Sequence, residues 1–403
     1  METIKQAIIL AGGQGKRLRP FTKNNPKPMF PIIGRPFLEY LIELVKENGI
    51  KEVLLLTGYF SEKIENHFGD GSKFGVKIQY SFTPFLNEKG KENESGLRLK
   101  NAEPLLDDVF LLMYCDNYWP IDLKKLSEFY FKQKTLATVT VYTNKDSFTR
   151  NNMLVDKDGY VVKYDRSRKE KNLNGVEIGF FIINKKVLKL IPKENSHFER
   201  DILPKLVSKR QLSGYLTDYK YYSISIPERI KITEEFLRPQ KVVFLDRDGV
   251  INKRPPKADY VKNWEEFEFL PGAIEGLQFL SQNDYKIYLI TNQPGIARGM
   301  MSKRDLNLIH QKLKEELKKK KVKINGIYCC PHGWDDGCEC RKPKPGLLFQ
   351  AARDHNLDLT KTIFIGDDER DIQAGEAAGC KTIFLKPRKS LLDAAKSLIK
   401  NKI

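Results

Sequence analysis

Lys241-Val-Val-Phe-Leu-Asp-Arg-Asp-Gly-Val-Ile-Asn252 decides how this chain is read. The apolar run ends at Asp246, with Asp248 two residues on and Gly249 behind it. That pattern predicts a buried strand carrying two carboxylates at its carboxyl end, where ligand sites of open parallel sheets lie. Both side chains then point into one cleft, Asp246 placed as a nucleophile and Asp248 as an acid and base.

Two further strands are predicted downstream, at 286-290 and 362-366, each ending on a polar group, Thr291 and Asp367. Cleaving a phosphate ester through an aspartate requires a nucleophilic carboxylate, a second acid, a cation and a hard metal held by oxygens. Thr291 is expected to hydrogen-bond the phosphoryl group and Lys342 to neutralise nucleophile and phosphate. Asp246, Asp248 and Asp367, helped by Asp368, are expected to hold Mg2+. These residues, with Ile290-Thr-Asn-Gln-Pro-Gly-Ile-Ala-Arg-Gly299 and Arg341-Lys-Pro343, resemble the haloacid dehalogenase superfamily across 241-390. Within it the heptose bisphosphate and histidinol phosphatases are the nearest in pattern. The resemblance implies that Asn292 and Arg341 contact the substrate phosphate. Little sequence separates Asp248 from the next core helix, around Ala273 to Leu280, so the domain is expected to be capless.

Cys330-Pro-His332, five residues, then Cys338-Glu-Cys340 offers three thiolates and an imidazole on one short loop. Zinc favours such a closed tetrahedral set. Arg341 and Lys342 follow directly, so the expected Zn2+ is structural and orients the catalytic cation, with Cys329 a bystander. The spacing is nearer the histidinol type than many heptose phosphatases. Clustered cysteines in an intracellular chain favour metal over disulfides.

The chain opens on a second phosphate signal, Ala7-Ile-Ile-Leu-Ala-Gly-Gly-Gln-Gly-Lys-Arg-Leu-Arg-Pro20. Leu10, Ala11, Gly12, Gly13 and Gly15 are expected to bring backbone amides to a triphosphate, while Arg17 and Lys27 bring positive charge to the reacting phosphorus and the leaving pyrophosphate. Phe110-Leu-Leu-Met-Tyr-Cys-Asp116 delivers Asp116 from a strand end as a Mg2+ ligand. With Pro26-Lys-Pro-Met29, these segments resemble the sugar-1-phosphate nucleotidyltransferases over about residues 4-237. Three positions depart from that family. Cys115 stands where glycine is usual, and Asp165-Arg166-Ser167 replaces Glu-Lys-Pro, leaving Arg166 or Lys163 to bind the sugar phosphate. Tyr222-Ser223-Ile224-Ser225 occupies the region where many relatives carry a second metal aspartate. Glu177 is the candidate for contacting sugar hydroxyls. Ser95-Gly96-Leu-Arg98 resembles a stretch of glucose-1-phosphate cytidylyltransferases, whereas the opening and Lys27-Pro-Met29 look equally like guanylyltransferases of heptose 1-phosphate.

The fold class expected is α/β with two domains. Residues 1-237 form a nucleotidyltransferase Rossmann-like fold with a mixed sheet, 238-240 a linker, and 241-403 a capless haloacid dehalogenase Rossmann-like fold. Strands are predicted at 6-11, 52-57, 76-82, 109-115 and 136-142, and helices at 36-48, 61-68, 96-106, 122-133 and 228-237. At 403 residues, two cores of ordinary size are the default.

The formal charge of +18 raises nucleic acid as a partner. The lysines are scattered, however, and the densest run, Lys318 to Lys321, ends a helical pattern where basic residues complement the helix dipole. No nucleic acid and no membrane insertion are expected, nor a secretory signal, which makes the protein cytoplasmic; oligomeric state is left open. The partners expected are a nucleoside triphosphate, GTP slightly favoured, and a sugar phosphate. Together the halves imply a bifunctional enzyme that dephosphorylates a heptose 1,7-bisphosphate-like sugar and transfers NMP to the product. The alternatives are a cytidylyltransferase making a CDP-sugar or CDP-polyol, and a nucleotide-binding regulatory protein.

Overall fold

The computed structural model describes residues 3–256 and 258–400. Met1 and Glu2, at the head of the expected first domain, and 401–403, at the end of the expected second, lie outside the described residues. The chain divides into two compact units between Glu235 and Phe236, within the helix Pro227–Leu237.

Seven strands form one sheet in the first unit, in the order Leu212–Thr217, Ala137–Tyr142, Val176–Asn184, Val109–Tyr114, Gln6–Leu10, Glu52–Thr57 and Lys77–Phe82. Neighbours run parallel except around Val176–Asn184, which is antiparallel to both of its partners, so the sheet is mixed. Ile8 sits in register with Leu54 and with Leu112, and all three are fully buried in one apolar cluster with Phe181. Strands covered on both faces need continuous apolar runs of this kind. Gln6–Leu10 ends at the glycine turn and Val109–Tyr114 ends just before Asp116, so both expected nucleotide segments leave the same edge of adjacent strands. A two-stranded ladder pairs Asn117 with Ser223, bringing the departure at Ser223 beside Asp116.

The helix expected over 96-106 is shorter. It spans Ser95–Asn101, and Glu103–Leu105 is a separate tight turn, because Pro104 has no amide hydrogen and its ring crowds the preceding turn.

The second unit holds five parallel strands in the order Ile324–Cys330, Tyr285–Asn292, Lys241–Leu245, Ile363–Gly366 and Lys381–Phe384. Asp246, Thr291, Cys330 and Asp367 therefore share the carboxyl edge of four adjacent strands. Among the described residues no helix stands between Leu245 and Ala273, in keeping with a capless domain. Helix Lys303–Lys319 starts with a capping box between Ser302 and Asp305, buries Leu306, Ile309, Leu313 and Leu317, and carries Lys318 and Lys319 in its last turn.

Candidate active sites

In the second unit the central strand delivers Asp246 into a cavity of about 380 Å3, lined also by Asp248, Thr291, Asn292, Arg341 and Lys342. Lys342 Nζ lies 2.7 Å from Asp246 Oδ1 and 2.6 Å from Asp371 Oδ1, and donates to the Ile290 carbonyl at 2.8 Å. Burial pushes the Asp246 carboxyl up to about 7, Asp371 and Asp248 adding to the rise while Lys342 opposes it. Burial would lower the ammonium of Lys342, but the Asp246 and Asp371 carboxylates hold it above its usual range.

Asp248 differs from its partner. Its carboxylate receives Arg247 Nη2 on both oxygens at 3.0 Å, Asn252 Nδ2 at 2.8 Å and Gln293 Nε2 at 2.7 Å. Burial alone would raise this group, yet Arg247 and these donors hold it below the ordinary carboxylate range. Arg247 is itself fully buried, with Nη1 3.2 Å from His310 Nε2.

The carboxylates whose oxygens lie within 4.8 Å of one another are Asp246, Asp367 and Asp371, while the side-chain oxygens of Asp248 are engaged by the donors just named. Asp368 does not join them. It caps helix Glu369–Ala377 and pairs with Arg370 and Arg254, the former chiefly holding its pKa low. Arg254 also lies 2.9 Å from Asp367, whose carboxyl burial raises. The turn leaves no room for a side chain at Gly249, where φ is +101° and a Cβ would stand 1.9 Å from Asp367 Oδ2.

Thr291 is buried, its Oγ1 2.9 Å from Gln293 Nε2. Asn292 lines the cavity but spends both ends of its amide on the main chain of Lys342, donating to the carbonyl at 3.1 Å and accepting the N–H at 3.1 Å. It thus locks the lysine segment in place. Arg341 Nη1 reaches the His332 carbonyl at 3.5 Å.

Cys330, His332, Cys338 and Cys340 gather as the spacing suggests, with ligand atoms within 4.8 Å of one another. Cys330 Sγ is 3.6 Å from His332 Nδ1 and 3.7 Å from Cys338 Sγ, and Cys340 Sγ is 3.1 Å from the imidazole and 3.6 Å from Cys338 Sγ. Cys329 stands outside this set.

In the first unit Asp116 and Lys27 form a nearly buried ion pair through Oδ2, and Ser225 Oγ lies 3.4 Å from the same oxygen. Burial would raise Asp116, but Lys27, with Arg17 adding, holds it below its usual range. Leu10 ends the first strand, Ala11 N–H donates to the Leu56 carbonyl at 2.9 Å, and Gly12 O accepts from Tyr59 at 3.2 Å. Gly15 takes φ +67°, and a Cβ there would lie 2.8 Å from Lys27 Cβ, so turn and lysine pack directly. A Cβ on Gly12 would meet the guanidinium of Arg98 at 2.6 Å. Arg98 is buried and donates to the carbonyls of Thr57, Thr83 and Asn93. Burial lowers its pKa to about 10.

A cavity of about 500 Å3 beside Asp116 is lined by Arg17, Arg166, Glu177, Glu199, Ser223 and Ser225 among others. Ser223 is 2% exposed and its Oγ has no hydrogen-bond partner among the described residues. Glu177 is buried at a bulge in strand Val176–Asn184 and accepts the Gly179 N–H. Burial drives its carboxyl well above the usual range, Glu199 adding to the effect. Arg166 Nε lies 3.4 Å from Glu199, whereas Lys163 pairs with Glu170 and does not line the cavity. Cys115 is a buried thiol pushed up to about 12 by burial. Sequence reasoning missed Arg168, Glu199 and Arg229, charged residues that also line this cavity.

Residues 6–223 match the nucleotidyl transferase family, and 339–397 match the HAD-hydrolase-like family. A D-glycero-β-D-manno-heptose-1,7-bisphosphate 7-phosphatase of Bordetella bronchiseptica is 42% identical over 140 residues, 35% of this chain and 77% of that protein. The crystal structure of a D,D-heptose 1,7-bisphosphate phosphatase from B. bronchiseptica, complexed with magnesium and phosphate, shares 35% identity, covers 40% of this chain and 99% of its own, and has a TM-score of 0.38. A putative glucose-1-phosphate thymidylyltransferase of Bacillus anthracis, in complex with a sucrose, is alike in fold, with a TM-score of 0.50 and 21% identity over 58% of this chain and 95% of its own. No helix among the described residues is long and apolar enough to cross a membrane. With more than half of its 403 residues matched at the amino end and a phosphatase relative 42% identical of which it covers 77%, this chain belongs to the nucleotidyl transferase family and joins to that enzyme a phosphatase of the haloacid dehalogenase type.

Proposed function

We propose that the two enzymes act in sequence on one sugar, the phosphatase removing a phosphate from a heptose 1,7-bisphosphate and the transferase joining the remaining anomeric phosphate to NMP from GTP. The observation that carries this reading is the occurrence on one polypeptide of a phosphatase 42% identical to a heptose-bisphosphate enzyme and of a transferase cavity that combines cations with buried carboxylates. The product would be a nucleotide-activated heptose for surface glycans, made in the cytoplasm. The domains of this reading are 1-237 and 241-403, joined by 238-240.

In the phosphatase, Asp246 attacks phosphorus to give an aspartyl phosphate as the sugar oxygen leaves. The arriving phosphate's negative charge raises Asp248 from the low range in which Arg247, Asn252 and Gln293 hold it at rest, so that it can carry a proton to the leaving oxygen and then take one from the hydrolytic water. Lys342 offsets charge on nucleophile and phosphoryl group, and Thr291 and Arg341 hold the phosphate. Asp246, Asp367 and Asp371 would hold Mg2+, which supplies positive charge to the phosphoryl oxygens. Three hard oxygen donors on one cleft suit that ion. Cys330, His332, Cys338 and Cys340 would hold Zn2+; sulfur spacings of 3.6 and 3.7 Å suit a tetrahedral thiolate site, and no open position is left for chemistry.

In the transferase, Arg17 and Lys27 draw charge from the phosphates, Asp116 would hold Mg2+, Arg166 binds the sugar phosphate, and Glu177, kept protonated, donates to a sugar hydroxyl. A second reading takes CTP as donor, from the resemblance of Ser95-Gly96-Leu-Arg98, whose arginine lies under Gly12 at the glycine turn, to a stretch of glucose-1-phosphate cytidylyltransferases. The test is incubation with Mg2+, each of the four nucleoside triphosphates and heptose 1,7-bisphosphate, following phosphate and pyrophosphate separately. Phosphate together with pyrophosphate from GTP alone fits the main reading, and pyrophosphate from CTP alone the second. Silence from every combination rules out the heptose.

A further inference from the structure

The cavity over Asp246 has a polar floor, but two aromatic rings, Tyr260 and Trp334, also line it. Trp334 is 61% exposed. Single exposed apolar side chains are ordinary on protein surfaces. This one differs because it borders the reactive cavity and is braced. The Arg298 guanidinium carbon lies 5.4 Å from the Trp334 ring centre and 5.8 Å from that of Tyr260, within cation–π range of both. Arg298 Nη1 also donates to Tyr260 Oη at 3.0 Å and to the Ala258 carbonyl at 3.3 Å, which fixes the guanidinium between the rings. Tyr260 is pressed against main chain, since a Cβ on Gly295 would stand 2.8 Å from its ring. The backbone of Trp334 leaves His332 two residues before it, in a loop turn where Asp336 accepts the Gly333 N–H at 2.7 Å.

We propose that Trp334, braced by Arg298, is a platform for the apolar C–H face of the substrate's sugar ring and selects cyclic sugar phosphates over open-chain esters. This rests on the reading of the second unit as a sugar bisphosphate phosphatase and adds the residue that recognises the ring. A pyranose carries its hydroxyls around its rim and presents C–H groups on a face. A large ring with few rotatable bonds covers such a face at small entropic cost. The contact is made equally in the ground and transition states, so it acts on KM rather than kcat.

The test uses the full chain and compares heptose 1,7-bisphosphate with acetyl phosphate, which has no ring to stack. Trp334→Ala should raise KM for the heptose ester about tenfold, equivalent to about 1.4 kcal/mol, with kcat little changed. Its constants for acetyl phosphate should match those of the unaltered protein. Trp334→Phe, which keeps an aromatic face, should restore most of the affinity. An unaltered heptose KM in Trp334→Ala overturns the proposal. Equal losses on both substrates also overturn it, since they mark damage to the cysteine loop rather than loss of a ring contact. If the unaltered protein cleaves acetyl phosphate but no sugar bisphosphate, the sugar-phosphatase reading itself falls, and the platform with it. That outcome is read before any variant is made, so the two failures are distinct.

Discussion

Asp371 Oδ1 stands 2.6 Å from Lys342 Nζ, as near as Asp246 on the other side, so the buried lysine is shared between two carboxylates. Removing Asp371 leaves Lys342 still paired with Asp246 but strands a buried N–H donor, at a cost of about 1–3 kcal/mol. Asp371→Ala should therefore lower the stability of the second unit by about that amount, read by urea unfolding. Asp371→Asn keeps the shape and should fold, yet lose phosphate release by about a hundredfold, the scale seen when a preorganised charge partner is removed. Full activity in a folded Asp371→Asn protein would show that the aspartate is only a helix-end acid.

The two chemistries should separate by mutation. Asp246→Asn is expected to abolish phosphate release and leave pyrophosphate release intact, and Asp116→Ala the reverse. Loss of both activities in either folded variant would contradict independent sites.

The acid limb of the phosphatase should respond to metal. The folded carboxyl of Asp246 is raised, to about 7, so it takes a proton as pH falls through that value, and the neutral acid is neither a nucleophile nor a good metal ligand. Protons and Mg2+ then compete for it. Activity is expected to fall below about pH 7, and more Mg2+ should move that fall to lower pH. A profile with the same acid midpoint at low and high Mg2+ would reject the competition.

Purified protein should carry stoichiometric zinc. Cys338→Ser should reduce the metal content and weaken phosphate release, because Arg341 and Lys342 leave the loop at Cys340, while nucleotide transfer persists. Elemental analysis that finds no zinc in folded, active protein would dispose of the assignment.

At the other site, Gly15→Ala puts a Cβ 2.8 Å from Lys27 on a backbone of φ +67°. A left-handed conformation costs an ordinary residue roughly 1–2 kcal/mol. Transfer should drop by about tenfold or more as Lys27 is displaced. Pyrophosphate release measures this, and phosphate release serves as the internal control.

What the sequence shows depends on whether the chemistry is contiguous with a strand end. Asp246, Thr291 and the cysteine loop follow apolar runs directly, so they were legible. Asp367 lies in the bend before the N-cap Asp368, and Asp371 is the third residue of the helix that follows, where it reads as an ordinary acid of a helix's first turn. That Arg247, the intervening residue, folds back onto the Asp248 carboxylate has no signal in the sequence. Glu199 stands in a π-helical turn, Phe198–Ile202, whose wider winding follows no 3.6-residue pattern. The reversed direction of Val176–Asn184 was equally hidden, since a strand buried on both faces is apolar throughout whichever way it runs.

On the proposed role of Asp116 as a Mg2+ ligand, its ion pair with Lys27 would also set an order of arrival. A bare Mg2+ approaching Asp116 must evict an ammonium from the oxygen it needs, in a place where water does little to screen the exchange. An ion already chelated by a triphosphate brings anionic oxygens that receive the lysine as it leaves. The resting protein would thus favour the ion escorted by its nucleotide over the free ion.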